Sequence, residues 1–242
     1  MPKKNSLKLY CFSPPVMLAT FAIEIGFAFY IVWRYKMTDI TRLVVAILVC
    51  LATFQAAEYM VCGGVGIQAG TWSKLGYAAI TLLPPLGIHL VQKIAGKANT
   101  YLTAAGYATA AAFIGYFVLA TGAISGQTCY ANYAVFDTHQ ASSLIYGLYY
   151  YGWLFVGVGL AWHYSLQSKR YRGALRALAL GYLAFILPTT TINLIDPSTL
   201  AAIPSIMCGF AVVLAFLLVG RVAPGTIALK DDARSLRQIF RI

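Results

Sequence analysis

Seven stretches of about twenty apolar residues follow one another along this chain, at approximately 12–33, 43–62, 73–92, 101–124, 143–164, 175–195 and 200–220. Each is long enough, at ~1.5 Å per residue in a helix, to cross ~30 Å of hydrocarbon. A backbone inside a bilayer can satisfy its polar groups only in a helix or a closed barrel, and unbroken apolar runs of this length select the helix. The expected fold class is therefore all-α integral membrane, a single seven-transmembrane-helix bundle. Composition agrees, since 60% of the 242 residues are hydrophobic and 10% charged, against roughly a quarter charged in soluble domains. Lys3, Lys4 and Lys8 precede the first run as they would in a secretion signal. That run is too long for a signal and lacks a small-residue cleavage site, so it reads as a helix of the mature protein.

Fourteen of the 18 Lys and Arg residues fall on one side of such a bundle, in the connections that hold Arg34, Lys36, Arg42, Lys93, Lys97 and Lys169 to Arg176, and from Arg221 onward. Only Lys3, Lys4, Lys8 and Lys74 fall on the other. Short basic loops stay cytoplasmic, which places the N-terminus outside and the C-terminus in the cytoplasm. The net charge of +11 is then an orientation signal, and its dispersal along membrane-flanking loops argues against a nucleic-acid partner. Residues 1–220 form the expected transmembrane domain and 221–242 a basic amphipathic tail. In that tail Leu229, Ala233, Leu236 and Phe240 share one helical stripe, with Arg234, Arg237 and Arg241 elsewhere, a pattern suited to an anionic inner leaflet.

The segment 125–142 is long, polar and aromatic, and reads either as a lid over the outer mouth, acting through Asp137 and His139, or as a plain cap on the bundle. Segment 63–72, with Gly63, Gly64, Gly66 and Gly70, reads as a flexible outer turn. Cys11, Cys62 and Cys129 fall at or near the outer face, and a Cys62–Cys129 disulfide would tie the second helix to the long loop.

The carboxylates inside the hydrocarbon carry the functional argument. Gln55 and Glu58 share a helical face that Cys62 continues, so their stripe is expected to point into the bundle. Counted along helices from their outer ends, Glu58 lies about 6 Å deep, Glu24 about 16 Å and His89 about 25 Å. Steps of ~10 Å exceed direct proton transfer but suit a relay through waters or hydroxyls. Thr20, Thr81, Thr189, Thr190, Thr191 and Asn193 supply such groups, and Asp196 joins Glu58 near the outer mouth. The opposing reading is that each carboxyl sits protonated and merely glues helices together.

Pro84 and Pro85 remove two helical donors from the third run and Gly87 admits a close neighbour, giving either a moving hinge or a static bend. Tyr146, Tyr149, Tyr150 and Trp153 lie on one broad face of the fifth run, as an aromatic belt or as an outer ligand pocket with Glu58. Covalent retinal is argued against because the seventh run holds no lysine for a Schiff base. Three isolated histidines, His89, His139 and His163, give no haem signature, and Asp137, His139 and Cys129 select no metal. No cofactor is expected, and no catalytic motif appears.

Cys11-Phe12-Ser13 before the first run, Phe54-Gln55 with Glu58 in the second and Pro84-Pro85 in the third are together similar to a family of bacterial multi-span membrane proteins of uncharacterised function. The likeness covers roughly the first 95 residues; ten residues precede Cys11 here, whereas in that family the cysteine tends to lie at the very start. The resemblance implies no activity. It implies a multi-pass protein of the bacterial cytoplasmic (inner) membrane, with Cys11, Ser13, Gln55 and Glu58 in one outer-half cluster.

The leading functional reading is movement of a small solute or ion, proton-linked, with Glu58 as outer gate, Glu24 as midplane carrier and His89 as inner exit. A seven-helix sensor that binds a ligand beneath 125–142 and signals to a cytoplasmic partner is the second, and a lipid-acting membrane enzyme the third. The expected partners are the bilayer, its anionic inner leaflet and an unidentified small solute, ion or ligand, with a homo-oligomer left open.

Overall fold

The computed structural model describes residues 14–63, 69–120, 122–129, 134–138, 140–195 and 203–230. Among them, seven helical spans are long and apolar enough to cross a membrane, as the sequence predicts. The chain is a multi-pass helical bundle, and it carries one short β-hairpin. We call the end bearing Arg34, Lys93 and Arg172 the basic end, and the other the hairpin end.

Helix α1 (Pro14–Arg34) runs from the hairpin end to the basic end, and α2 (Asp39–Gly63) returns antiparallel against it. The reversal is fixed by two threonines. The Thr38 N–H donates to Thr41 Oγ1 and the Thr41 N–H to Thr38 Oγ1, each at 3.2 Å, while the Thr41 hydroxyl donates to the Lys36 carbonyl at 2.6 Å. This reciprocal cap satisfies backbone donors that a helix start leaves open, and Asp39 in the first turn suits the helix dipole.

The third span is two helices, α3 (Ala69–Thr81) and α4 (Leu83–Ala95), parted at Leu82. Pro84 and Pro85 cannot donate to the carbonyls of Ile80 and Thr81, so the regular ladder fails there. The Leu82 N–H bonds instead to Ala79 O at 3.3 Å. The freed Thr81 carbonyl accepts the Tyr149 hydroxyl at 2.7 Å, and the Thr81 hydroxyl, which donates to Tyr77 O, lies 3.0 Å from Tyr146 Oη. A second close approach follows one turn on. A Cβ on Gly87 would stand 1.8 Å from Tyr182 Oη, so a side chain here would have to displace that ring. Pro84, Pro85 and Gly87 thus form a bend met by Tyr149 on one side and Tyr182 on the other.

Helix α4 ends at Gly96, in the left-handed conformation at φ 65°. Helix α5 (Thr100–Leu119) starts on the Asn99 cap, whose Oδ1 accepts from the Leu102 N–H at 3.1 Å. Strands β1 (Ile124–Cys129) and β2 (Ala134–Thr138) then pair antiparallel, with Gly126 opposite Asp137 and Cys129 opposite Ala134. The segment read as a lid or a cap thus carries a pair of strands, which lets a long connection satisfy much of its own backbone. Helices α6 (Gln140–Gln167), α7 (Arg172–Ile195) and α8 (Ile203–Leu217) complete the bundle.

Helices α2, α4, α6, α7 and α8 surround a small internal cavity of about 10 Å³ lined by Ile47, Leu51, Tyr150, Tyr182 and Phe185, among others. Helix α1 packs on α2 and α8. It exposes Leu18, Phe29 and Trp33, as lipid contact requires.

The last span differs from expectation at its basic end. Beyond α8 the chain widens into a π-turn at Leu218–Val222 and continues as α9 (Ala223–Thr226). Pro224 has no N–H for the Gly220 carbonyl, which favours the wider turn. Residues 228–230 then return along the α1–α2 connection. The Lys36 N–H donates to Ala228 O at 2.9 Å and the Lys230 N–H to Arg34 O at 3.0 Å, with Tyr35 and Leu229 in an antiparallel bridge. The first ten residues of the expected tail therefore belong to the bundle, and Leu229 is not part of an interfacial helix stripe. The remaining stripe positions, Ala233, Leu236 and Phe240, lie outside the described residues.

Replacing Tyr149 by Phe removes the donor to the Thr81 carbonyl and is expected to cost about 1–2 kcal/mol in detergent unfolding. Gly87→Ala is expected to cost about 1–3 kcal/mol through overpacking against Tyr182. Unchanged unfolding midpoints for both would show that neither contact fastens the bend.

Candidate functional site

Helix α1 has a single buried stripe, Met17, Thr20, Glu24, Ala28, Ile31 and Tyr35, at intervals of three or four residues. Glu24 sits midway along the helix and is 0% exposed. Neither of its carboxylate oxygens has a hydrogen-bond partner among the described residues. Its nearest polar companion on the stripe offers no proton: the Thr20 hydroxyl donates to the Val16 and Met17 carbonyls at 3.0 and 2.9 Å. Thr20 is left with acceptor capacity only. A buried polar group without a partner costs about 1–3 kcal/mol, more if charged.

On α2, Ile47, Leu51, Gln55 and Glu58 follow one another at helical spacing, and the first two line the central cavity. Gln55 and Glu58, 2% and 1% exposed, continue that stripe towards the hairpin end. Helix α7 repeats the arrangement, since Tyr182 and Phe185 line the cavity and Thr189 and Asn193 continue outward. Register thus places Gln55, Glu58, Thr189 and Asn193 in the half of the bundle between the cavity and the hairpin. The hydroxyls of Thr189, Thr190 and Thr191 donate to the carbonyls of Phe185, Ile186 and Leu187 at 2.7, 2.8 and 2.8 Å. Thr190 and Thr191 are exposed on the outside of the helix.

Cys62 is disulfide-bonded. The side chain of its expected partner, Cys129, lies outside the described residues, although β1, which ends at Cys129, packs against α2. Cys11, Ser13, His139 and Asp196 and the side chain of Asp137 also lie outside them.

His89 is not brought to the glutamates. It turns towards α5, where Nδ1 lies 3.2 Å from Tyr107 Oη. His163 is exposed on α6 and pairs with Gln167 at 2.8 Å. Among the described residues no group of three His, Cys, Asp or Glu side chains converges.

Tyr146, Tyr149 and Tyr150 are buried. They join an aromatic core in which Phe113 and Tyr149 have ring centroids 4.7 Å apart, and Phe117 and Tyr146 5.2 Å. The hydroxyls of Tyr146 and Tyr149 are engaged at Thr81. Trp153 donates to Thr109 Oγ1 at 3.0 Å. These side chains hold helices together, and Tyr150 also lines the central cavity.

Two features are not read from the sequence. One is a groove of about 520 Å³ between α1 and the π-turn, lined by Phe27, Tyr30, Arg34, Val219 and Gly220. It climbs from the basic end to Phe27, three residues from Glu24 and so ~4.5 Å along the helix. Its one sign in the sequence is Pro224, through the turn it widens. The other is the cavity beside Gln92 taken up below.

No family model matches this chain, and no curated protein or solved structure matches it.

Because the Glu24 carboxyl is enclosed and makes no bond, Glu24→Met is expected to raise stability by about 1–3 kcal/mol in detergent unfolding. A comparable loss of stability would mean that Glu24 is structural glue.

Proposed function

We propose that this multi-pass membrane protein moves a small cation, the proton first, through its interior, with Glu24 as the mid-membrane carrier. The observation that carries the reading is the carboxyl group of Glu24, wholly enclosed and without a bonding partner at the centre of a span. A group that weakens the bundle at its midpoint is explained when it takes up a proton or a cation in the working cycle. Glu58, with Gln55 beside it, receives the cation from the hairpin side. The groove under Phe27, floored by the π-turn, releases it at the basic end. π-turns recur at functional positions because they spare a backbone carbonyl. His89, on the far side of α4, stands apart from this path. A small solute coupled to the proton is accommodated by the same scheme.

The basic end is cytoplasmic in this proposal, and the N-terminus external. Its support is the grouping of Lys and Arg at one end. A cysteine placed at Lys97 is expected to react with a membrane-impermeant maleimide only after the membrane is opened, and one at Lys74 before. The reverse pattern would invert the topology.

Proton flux into liposomes, driven by a potassium gradient, tests the function. The parent protein is expected to exceed empty liposomes, and Glu24→Gln to lower the excess about 10²-fold. Glu58→Gln is expected to lower it by a smaller factor. Flux equal to that of empty liposomes, or unaltered by Glu24→Gln, would overturn the reading and leave ligand sensing as its successor.

A further inference from the structure

At the basic end α4 and α5 part around the turn 96–99 and leave a cavity of about 510 Å³. His89, Gln92, Lys93, Asn99, Thr103 and Tyr107 contribute to its wall. It lies where the spans Gly70–Ala95 and Thr100–Leu119 both meet the basic end, the level at which a bilayer's headgroups begin.

Gln92 is the anomaly in this wall. It is 3% exposed, and its Oε1 accepts the Asn99 N–H at 2.9 Å and the Thr103 hydroxyl at 3.1 Å. That acceptor anchors the start of α5. The Nε2 end of the same amide is buried and has no hydrogen-bond partner among the described residues. The anchoring task uses the oxygen alone, so the fold leaves both N–H donors of this wall residue without a partner among the described residues.

Further donors stand in or beside this wall. Lys93 Nζ gives one proton to Asp39 Oδ2 at 2.7 Å and keeps two more. Helix α5, 20 residues long, presents its N-terminal amides, and those of Thr100 and Tyr101 meet no acceptor among the described residues. No carboxylate lines the cavity. Tyr101, next to Thr100, is 91% exposed, as suits a tyrosine at the membrane–water boundary.

We infer that this cavity binds a phosphate group, held by Gln92 Nε2, Lys93 Nζ and the first turn of α5. An oxyanion answers every unspent donor at once, and a helix N-terminus beside a lysine is favourable to it. Two sources carry that group at this level, a phospholipid headgroup and soluble phosphate.

The test uses the full chain in detergent, with phosphatidylglycerol, a diacylglycerol of the same acyl chains, and inorganic phosphate as probes, read by native mass spectrometry and thermal unfolding. Gln92→Glu keeps the anchoring oxygen and replaces the donor by a carboxylate. It and Lys93→Gln are each expected to weaken phosphatidylglycerol binding by about tenfold or more, whereas Lys97→Gln, outside the wall, changes it by less than about twofold. Diacylglycerol is expected not to bind. Gln92-dependent protection by inorganic phosphate, with no retained lipid, supports the site with soluble phosphate as its source. Should Gln92→Glu fail to fold, Lys93→Gln and Lys93→Glu carry the comparison. Binding of phosphatidylglycerol unaffected by the folded variants, or no binding of either phosphate probe by the parent, overturns the inference.

Discussion

Hydrocarbon offers no water to a backbone group that has lost its helical partner, so every interruption of a span has to be repaired from within the protein. The third span shows the repair most clearly. Two consecutive prolines strip donors from its middle, and the Tyr149 hydroxyl replaces one of them at the Thr81 carbonyl. The same tyrosine and Tyr146 belong to the aromatic core with Phe113 and Phe117. The break in α3–α4 and the packing of α6 therefore depend on each other. The wider turn at Leu218–Val222 is a second local answer to a proline, and it opens the groove beside α1 as a by-product.

Against that economy a few buried groups stand out, Trp72 Nε1 and Tyr182 Oη among them. Threonines inside the spans commit their protons to carbonyls one turn back, at Thr20, Thr81 and Thr189. Tyrosines cap broken carbonyls. Yet among the described residues Glu24 has no bonding partner at the centre of the bundle, and the Gln92 amide nitrogen has none at the basic end. Buried groups without a partner are candidates for completion by something transient or extrinsic, and at Glu24 and Gln92 the surroundings point to what that is. The two positions differ in chemistry. One is an acid on an otherwise apolar stripe, suited to a proton or cation; the other is a donor among donors, suited to an anion.

The spans were legible because hydropathy in a membrane protein is close to a direct readout of the solvent, and six of the helices begin or end within a few residues of the apolar runs. The break at Leu82 was legible from Pro84 and Pro85 for the same reason that it exists. Burial of Glu24, Gln55 and Glu58 followed from the cost of placing them against lipid. What the sequence withheld is which helices touch. The spacing of Tyr146, Tyr149 and Tyr150 fits a pocket wall and a packed core equally, and only the approach of α5 and of Thr81 decides between them. His89 has the right depth for a relay, but depth along a helix says nothing about azimuth, and its ring turns to Tyr107. The hairpin escaped because its strands are short, six and five residues, and the return of residues 228–230 escaped because pairing with Tyr35 is a contact between distant parts of the chain.

The central claim is that the Glu24 carboxyl, though enclosed, exchanges its proton with water while the bundle stays folded. Infrared difference spectroscopy of the protein in membranes, recorded as the pH on one side is stepped, tests it directly. The account predicts a carboxyl C=O band that responds to the step and is missing from Glu24→Gln. A band assigned to Glu24 that stays unchanged until the protein unfolds would contradict it, and would make this residue a sealed part of the packing.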